Sequence, residues 1–217
     1  MKVAFFDLDH TLIDNDCDVS WKEFLVEQEF APMESLRRAD DFFEKYIQGN
    51  LIIEEFLDFQ LEEFIGETPE SLRDFFLAHC VEKVFPKIIR EAKAVLDEKL
   101  QEEGTIVALL TASQGPIVEP IAAMFGIEHV CANHLEIKEG MFTGKIIPPF
   151  PGGEGKVHYA EEFCKKHGCK VEEAEYYGDS LSDRFILDAV KTPVAVNPNE
   201  ELKELAIEKG WEIVSWN

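Results

Sequence analysis

Four groups of residues stand out for the chemistry their types and spacing allow. The first is Asp7-Leu8-Asp9-His10-Thr11, directly after an apolar run. A carboxylate at Asp7 is ionised at neutral pH and can attack phosphorus, giving an acyl phosphate that water later cleaves. A second carboxylate at Asp9 can protonate the leaving oxygen and then activate the water. A calcium loop or a solvated acidic turn is the rival reading of this motif. An EF-hand is disfavoured, because the sixth position counted from Asp7 is Leu12 rather than glycine and the twelfth is Asp18 rather than glutamate.

The second group is Thr111, followed by Ala112-Ser113-Gln114-Gly115. A hydroxyl at Thr111 with the adjacent N–H of Ala112, at a strand-to-helix turn, can hold a phosphoryl oxygen. A helix N-cap explains a hydroxyl there equally well, and Ser113 is the better candidate for that cap. The third is Lys156, at the end of Gly152-Gly153-Glu154-Gly155, where a point charge can neutralise a nucleophile and a transferring phosphoryl group. This run lacks P-loop spacing. The fourth is Gly178-Asp179-Ser180-Leu181-Ser182-Asp183, whose two carboxylates suit a hard cation that takes oxygen ligands. A turn plus a helix cap is the alternative there.

The elements that would carry these groups follow from hydrophobic patterning. Val3–Phe6, Thr105–Leu110, Ala174–Tyr177 and Pro193–Val196 read as short strands buried on both faces of a parallel sheet. Helices are expected over Ile88–Leu100, Ile117–Phe125 and Val157–Lys166. Such alternation predicts a doubly wound, Rossmann-like α/β core, with its polar groups at the strand ends. From about Asp18 to Val84 the periodicity is helical throughout: Trp21, Phe24 and Leu25 share a face, as do Leu36, Phe43 and Ile47, then Phe56, Phe59 and Phe64. Thr68-Pro69 reads as an N-cap with proline at the first helical position. Gly49 and Gly66 punctuate the segment, which is expected to be an all-helical bundle inserted after the first strand. A phenylalanine stripe of this kind is read first as bundle core.

Forty-four acidic residues against twenty-one basic ones give a formal net charge of −23. That sign disfavours nucleic acid and anionic membrane surfaces as partners. It also repels an anionic substrate at long range, so a phosphate site here needs a local cation and a lysine. The five cysteines are scattered without a CxxC pair, and ordinary reduced thiols are expected. The opening apolar run is too short for a secretion signal, so a cytoplasmic location is expected.

Taken in order, DxDxT, the post-strand threonine, the lysine and the acidic pair resemble the haloacid dehalogenase superfamily, over essentially the whole chain. The resemblance implies an aspartyl-phosphate phosphatase acting on a small-molecule phosphomonoester. In it Asp7 would be the nucleophile, Asp9 the general acid/base, and Thr111, Ala112 and Lys156 the phosphate-binding groups. Mg²⁺ would be held by Asp7, the Asp9 carbonyl and Asp179, with Asp183 orienting the metal's waters or Lys156. The insertion resembles the helical cap of the phosphoserine-phosphatase-like branch, which implies a core of residues 1–15 and 85–217 and a cap of residues 16–84. Ala132-Asn133 and Gly140–Gly144 fall where that branch has a strand pair ending in a turn. In that branch a glutamate nine residues after the nucleophile contacts the substrate amine; here the position is Asp16. Phosphoserine and histidinol phosphate are the substrates to test first. Arg37, Arg38 and Arg73 are candidates for the branch's cap arginine.

Rival functions are a sugar phosphomutase, which shares all four motifs, and a phosphoaccepting receiver domain. In a receiver domain the acidic residues precede the hydroxyl and lysine, whereas Asp179 and Asp183 follow them. A dehalogenase has no use for Asp9 as an acid.

Overall fold

The structure, a computed structural model, describes residues 2–47, 50 and 52–216, apart from the side chains of 43, 46, 47 and 53. The faces predicted for Phe43 and Ile47, and the break at Gly49, therefore lie outside the described residues.

Six parallel strands form the main sheet in the order β3-β2-β1-β6-β7-β8: β1 Lys2–Phe6, β2 Thr105–Gln114, β3 His129–Asn133, β6 Glu175–Gly178, β7 Thr192–Val196 and β8 Glu212–Val214. β4 (Leu135–Lys138) and β5 (Met141–Ile146) make a separate antiparallel hairpin. Val3 to Phe6 are at most 1% exposed, and they alternate between two cores. Ala4 and Phe6 face one cluster with Val107, Leu109 and Ile121, while Val3 and Phe5 face the other with Ala108, Leu110 and Ala160. This double burial explains why the strand reads as a continuous apolar run rather than an alternating one. In register, Phe6 pairs with both Leu109 and Tyr177. Asp7, Thr111 and Asp179 therefore emerge at the same, carboxyl end of the sheet, where open α/β sheets bind ligands.

Helices cover both faces. On one side α5 (Arg90–Gln101) and α6 (Gly115–Phe125) bury Leu96 and Ile117; on the other α7 (Glu154–His167), α8 (Arg184–Ala189) and α9 (Glu200–Lys209) bury Cys164, Leu187 and Leu202. Between β1 and α5 lie α1 (Cys17–Glu27), α2 (Glu34–Ile47), α3 (Ile53–Leu61) and α4 (Pro69–His79). The expected cap of α4 is present, with the Ser71 N–H donating to Thr68 Oγ1 at 3.0 Å and Pro69 opening the helix. Trp21, Phe24, Phe64 and Phe76 stack together and join the sheet-side core without interruption. The hairpin closes this side. Gly66 and Glu67 exchange backbone hydrogen bonds with Phe142 (3.0 and 2.8 Å), whose ring meets Phe64 edge-on at 5.3 Å. No helix among the described residues is long and apolar enough to cross a membrane.

Candidate active site

Lys156 is the hub of the site. Its ammonium donates to Asp7 Oδ2 and Asp183 Oδ1, both at 2.6 Å, and to the Tyr176 hydroxyl at 2.8 Å, while only 2% of the residue is exposed. Burial by itself would lower its pKa, but the Asp183 and Asp7 charges outweigh it and hold the lysine protonated above its ordinary range. The glycine-rich stretch ahead of Lys156 exists for packing. A side chain at Gly155 would overlap the Phe150 carbonyl, so only glycine lets the chain fold back there and start α7. Gly178 plays the same part for Asp183, whose carboxylate lies where a Cβ would stand.

Asp7 follows β1, with Oδ1 accepting the Leu8 N–H at 2.8 Å. Burial pushes its pKa up to about 6 against the pull of Lys156, so it is ionised at neutral pH. From the side chains of the described residues Asp179 receives only a long bond, from the Thr11 hydroxyl at 3.4 Å. Burial, then the Asp7 and Asp183 charges, push it up to about 8. Oxygens of Asp7, Asp179 and Asp183 lie within 4.8 Å of one another. One ammonium cannot balance three carboxylates, and the surplus negative charge, with oxygen donors only, fits a hard divalent cation. Asp183 is fully buried and held by Lys156 and by the Tyr176 hydroxyl at 3.0 Å, which suits it to fixing the lysine.

Asp9 stands apart from this cluster. Its Oδ1 accepts the Cys17 N–H at 2.7 Å and its Oδ2 the Ser113 hydroxyl at 2.6 Å. Burial, followed by the charge of Asp16, pushes its pKa up to about 7, near the optimum for an acid that must later act as a base. Thr111 is 1% exposed at the end region of β2, its Oγ1 accepting the Ser113 N–H at 3.2 Å, and Ala112 lines the cavity beside Asp9.

One expectation needs correction. Ser113 is not a helix N-cap: β2 continues through Gln114, α6 starts at Gly115, and the Ser113 hydroxyl instead holds Asp9. Asp16 lines the cavity by Asp9 and also caps α1, its Oδ1 accepting the Asp18 and Val19 N–H groups at 3.0 Å. Tyr176, Ser113 and Cys17 complete the site unforeseen. Tyr176 reads as a strand aromatic, and the other two meet Asp9 only through the tertiary fold. Of the candidate cap arginines, Arg37 pairs with Glu34 and Asp41, Arg38 forks onto Glu62 over the Phe59 ring, and Arg73 lines a different cavity.

Residues 4–188 match the family model for haloacid dehalogenase-like hydrolases. The chain belongs to that family. Among relatives of similar sequence, a histidinol-phosphatase of Neisseria meningitidis is 30% identical, the match covering 99% of this chain and 98% of the relative. A phosphoserine phosphatase of Archaeoglobus fulgidus is 25% identical over 94% of this chain and 55% of its own length. Among solved structures, a Bordetella pertussis protein of unknown function superposes with a TM-score of 0.91 at 32% identity, covering 98% of this chain and 97% of that one. A substrate-bound phosphoserine phosphatase superposes with a TM-score of 0.66 at 20% identity, over 94% and 89% of the two chains, and so shares the fold.

Proposed function

We propose that this protein is a Mg²⁺-dependent phosphatase that passes the phosphoryl group of a small amino-acid-type phosphomonoester to Asp7 and then to water. The observation that carries the reading is the separate placement of two carboxylates: Asp7 accepts from Lys156 within the acidic cluster, whereas the Asp9 side chain is turned away from it and held by the Cys17 N–H and the Ser113 hydroxyl. That is the pattern expected of a nucleophile and an acid/base with separated roles.

An Asp7 carboxylate oxygen attacks phosphorus, and the bond from phosphorus to the leaving oxygen breaks as Asp9 gives that oxygen its proton. Asp9, now a carboxylate, takes a proton from water as the water oxygen attacks the same phosphorus. The bond to Asp7 breaks, releasing inorganic phosphate and restoring the starting protonation. Lys156, Thr111 and the Ala112 N–H bind the phosphoryl oxygens, and Asp183 with Tyr176 keeps Lys156 in place. A divalent cation held by Asp7, the Asp9 carbonyl and Asp179 would supply charge neutralisation at the phosphoryl oxygens. Residues 16–84 serve as a cap that shapes the leaving-group side, over a core of residues 1–15 and 85–217.

Histidinol phosphate ranks first among substrates, because the relative named a histidinol-phosphatase matches over 98% of its length, and phosphoserine ranks second, its namesake phosphatase matching over 55%. The test is phosphate release from histidinol phosphate, phosphoserine, sugar phosphates and nitrophenyl phosphate, with Mg²⁺ and after exhaustive chelation. Release that vanishes with the metal is expected. Undiminished release after chelation, or isomerisation of a sugar phosphate without release, contradicts the reading.

A further inference from the structure

Beside Asp9 lies a cavity of about 200 Å³ walled by Asp16, Asp18, Gln60, Phe56 and Phe150, together with Ala112–Gln114 at the end of β2. It is smaller than the roughly 300–1,000 Å³ of sites for drug-sized ligands, as suits a single small leaving group. No lysine, arginine or histidine among the described residues lines it. Gln60 is only 6% exposed, yet its amide forms no hydrogen bond with any described residue. The Gln60 side chain lines the cavity, where its amide can bond to water or to a guest that takes the water's place. Among the described residues Asp18 receives only long contacts, from Gln114 at 3.4 Å from N and 3.5 Å from Nε2, and Asp16 spends one oxygen on its helix cap. Two carboxylates, two aromatic rings and an amide lining one cavity make a receptor for a cation that carries N–H donors.

We propose that this cavity receives a leaving group bearing a protonated amine or azole and no carboxylate, and that Asp18 and Gln60 are the residues that select it. The proposal rests on Asp7 as nucleophile and Asp9 as acid, since these place the leaving oxygen at the mouth of the cavity. A leaving group with its own carboxylate would set that charge against Asp16 and Asp18 with no basic side chain to receive it, and like charges juxtaposed in this way discriminate strongly. Burial and the charges of Asp16 and Asp9 push Asp18 well above the ordinary carboxylate range, so an entering cation draws it to the charged form, whereas an entering carboxylate pushes it further up.

The experiment compares wild type, Asp18→Asn, Asp18→Glu, Asp18→Lys and Gln60→Leu on histidinol phosphate, phosphoserine and nitrophenyl phosphate with Mg²⁺. Asp18→Asn and Gln60→Leu should each raise KM for histidinol phosphate by about tenfold more than for nitrophenyl phosphate, the size expected for losing a hydrogen bond to a charged group. The effect should fall on KM rather than kcat. Asp18→Glu should recover part of the loss, and Asp18→Lys should move the preference toward phosphoserine. Equal effects of Asp18→Asn on all three substrates would overturn the proposal. Wild type alone gives a second test that needs no variant to fold: free histidinol should inhibit nitrophenyl phosphate hydrolysis at a concentration at least about tenfold below free serine. Equal inhibition would likewise overturn it. Nitrophenyl phosphate turnover separates the two levels, because its absence in wild type defeats the phosphatase reading, whereas its presence without discrimination between histidinol and serine defeats only the selectivity of the cavity.

Discussion

Acid should destabilise the helical insertion through one histidine. His79, at the end of α4, is fully buried, with Nε2 2.9 Å from the Ser20 hydroxyl and with Nδ1 lacking any partner among the described residues. Trp21 and Phe24 press ring edges against it at 5.5 and 5.8 Å. Protonation would place a charge and a second donor where one hydroxyl is the nearest acceptor. Burial, aided by the Lys83 charge, accordingly lowers its pKa from 6.5 to about 4. Between those two values the unfolded chain holds more protons at this position than the folded one, so stability falls as pH falls. Integrated across the window the loss is about 3 kcal/mol, a large share of the roughly 5–15 kcal/mol of a whole domain. The carboxylates at Asp7, Asp9 and Asp179 have raised pKa values and act in the opposite sense, so total stability is the wrong readout. Urea unfolding followed by tryptophan fluorescence, for wild type and His79→Gln at pH 7 and pH 4.5, isolates the histidine. The gap in unfolding free energy between the two proteins should change by more than about 2 kcal/mol between those pH values, to the disadvantage of wild type in acid. A gap that stays constant within about 0.5 kcal/mol would refute the reasoning, since burial could not then be excluding the proton.

Three further outcomes follow from the geometry of the site. Asp9→Asn should slow turnover of an alkyl phosphate by about 10²–10⁴-fold; with nitrophenyl phosphate, whose leaving group departs without a proton, it should give a burst of nitrophenol followed by slow hydrolysis. Tyr176→Phe removes a hydroxyl that touches both Lys156 and Asp183, and should lower stability by about 1–3 kcal/mol while leaving measurable activity, read by thermal unfolding beside a rate assay. Gly155→Ala forces a methyl onto the Phe150 carbonyl and should depress kcat/KM by at least about tenfold through displacement of Lys156, whereas the same change at Gly168, which has open space around it, should have little kinetic effect.

The strands that carry the site are legible because a strand buried on both faces must be apolar at every position. Val3–Phe6 and Thr105–Leu110 announce themselves in this way, and Asp7 and Thr111 stand out by interrupting the runs. β8 and the β4–β5 hairpin are harder. Glu212–Val214 is a short edge strand, and the hairpin mixes exposed charges with the single deeply buried side chain of Phe142, so neither shows a clean period. Tyr176 and Ser113 illustrate a different limit. Each carries an ordinary local signal, for strand and for helix cap, and takes its role from a partner distant in sequence: Ser113 meets Asp9 across 104 positions. Asp16, matched on spacing from the nucleophile, both caps α1 through Oδ1 and lines the cavity beside Asp9, and the capping half of that role is visible only in the structure. Asp18 and Gln60 carry no motif at all. They emerge only once α1 and α3 stand on either side of a cavity.

The most direct test of the account is the location of the covalent phosphoryl group. Asp9→Asn enzyme is mixed with nitrophenyl phosphate and Mg²⁺, quenched in acid during the burst, digested and mapped by mass spectrometry. The account predicts one added phosphoryl group on the peptide containing Asp7, and neither this adduct nor turnover above background after Asp7→Asn. A phosphoryl group on any other residue, or substantial turnover by Asp7→Asn, would contradict it.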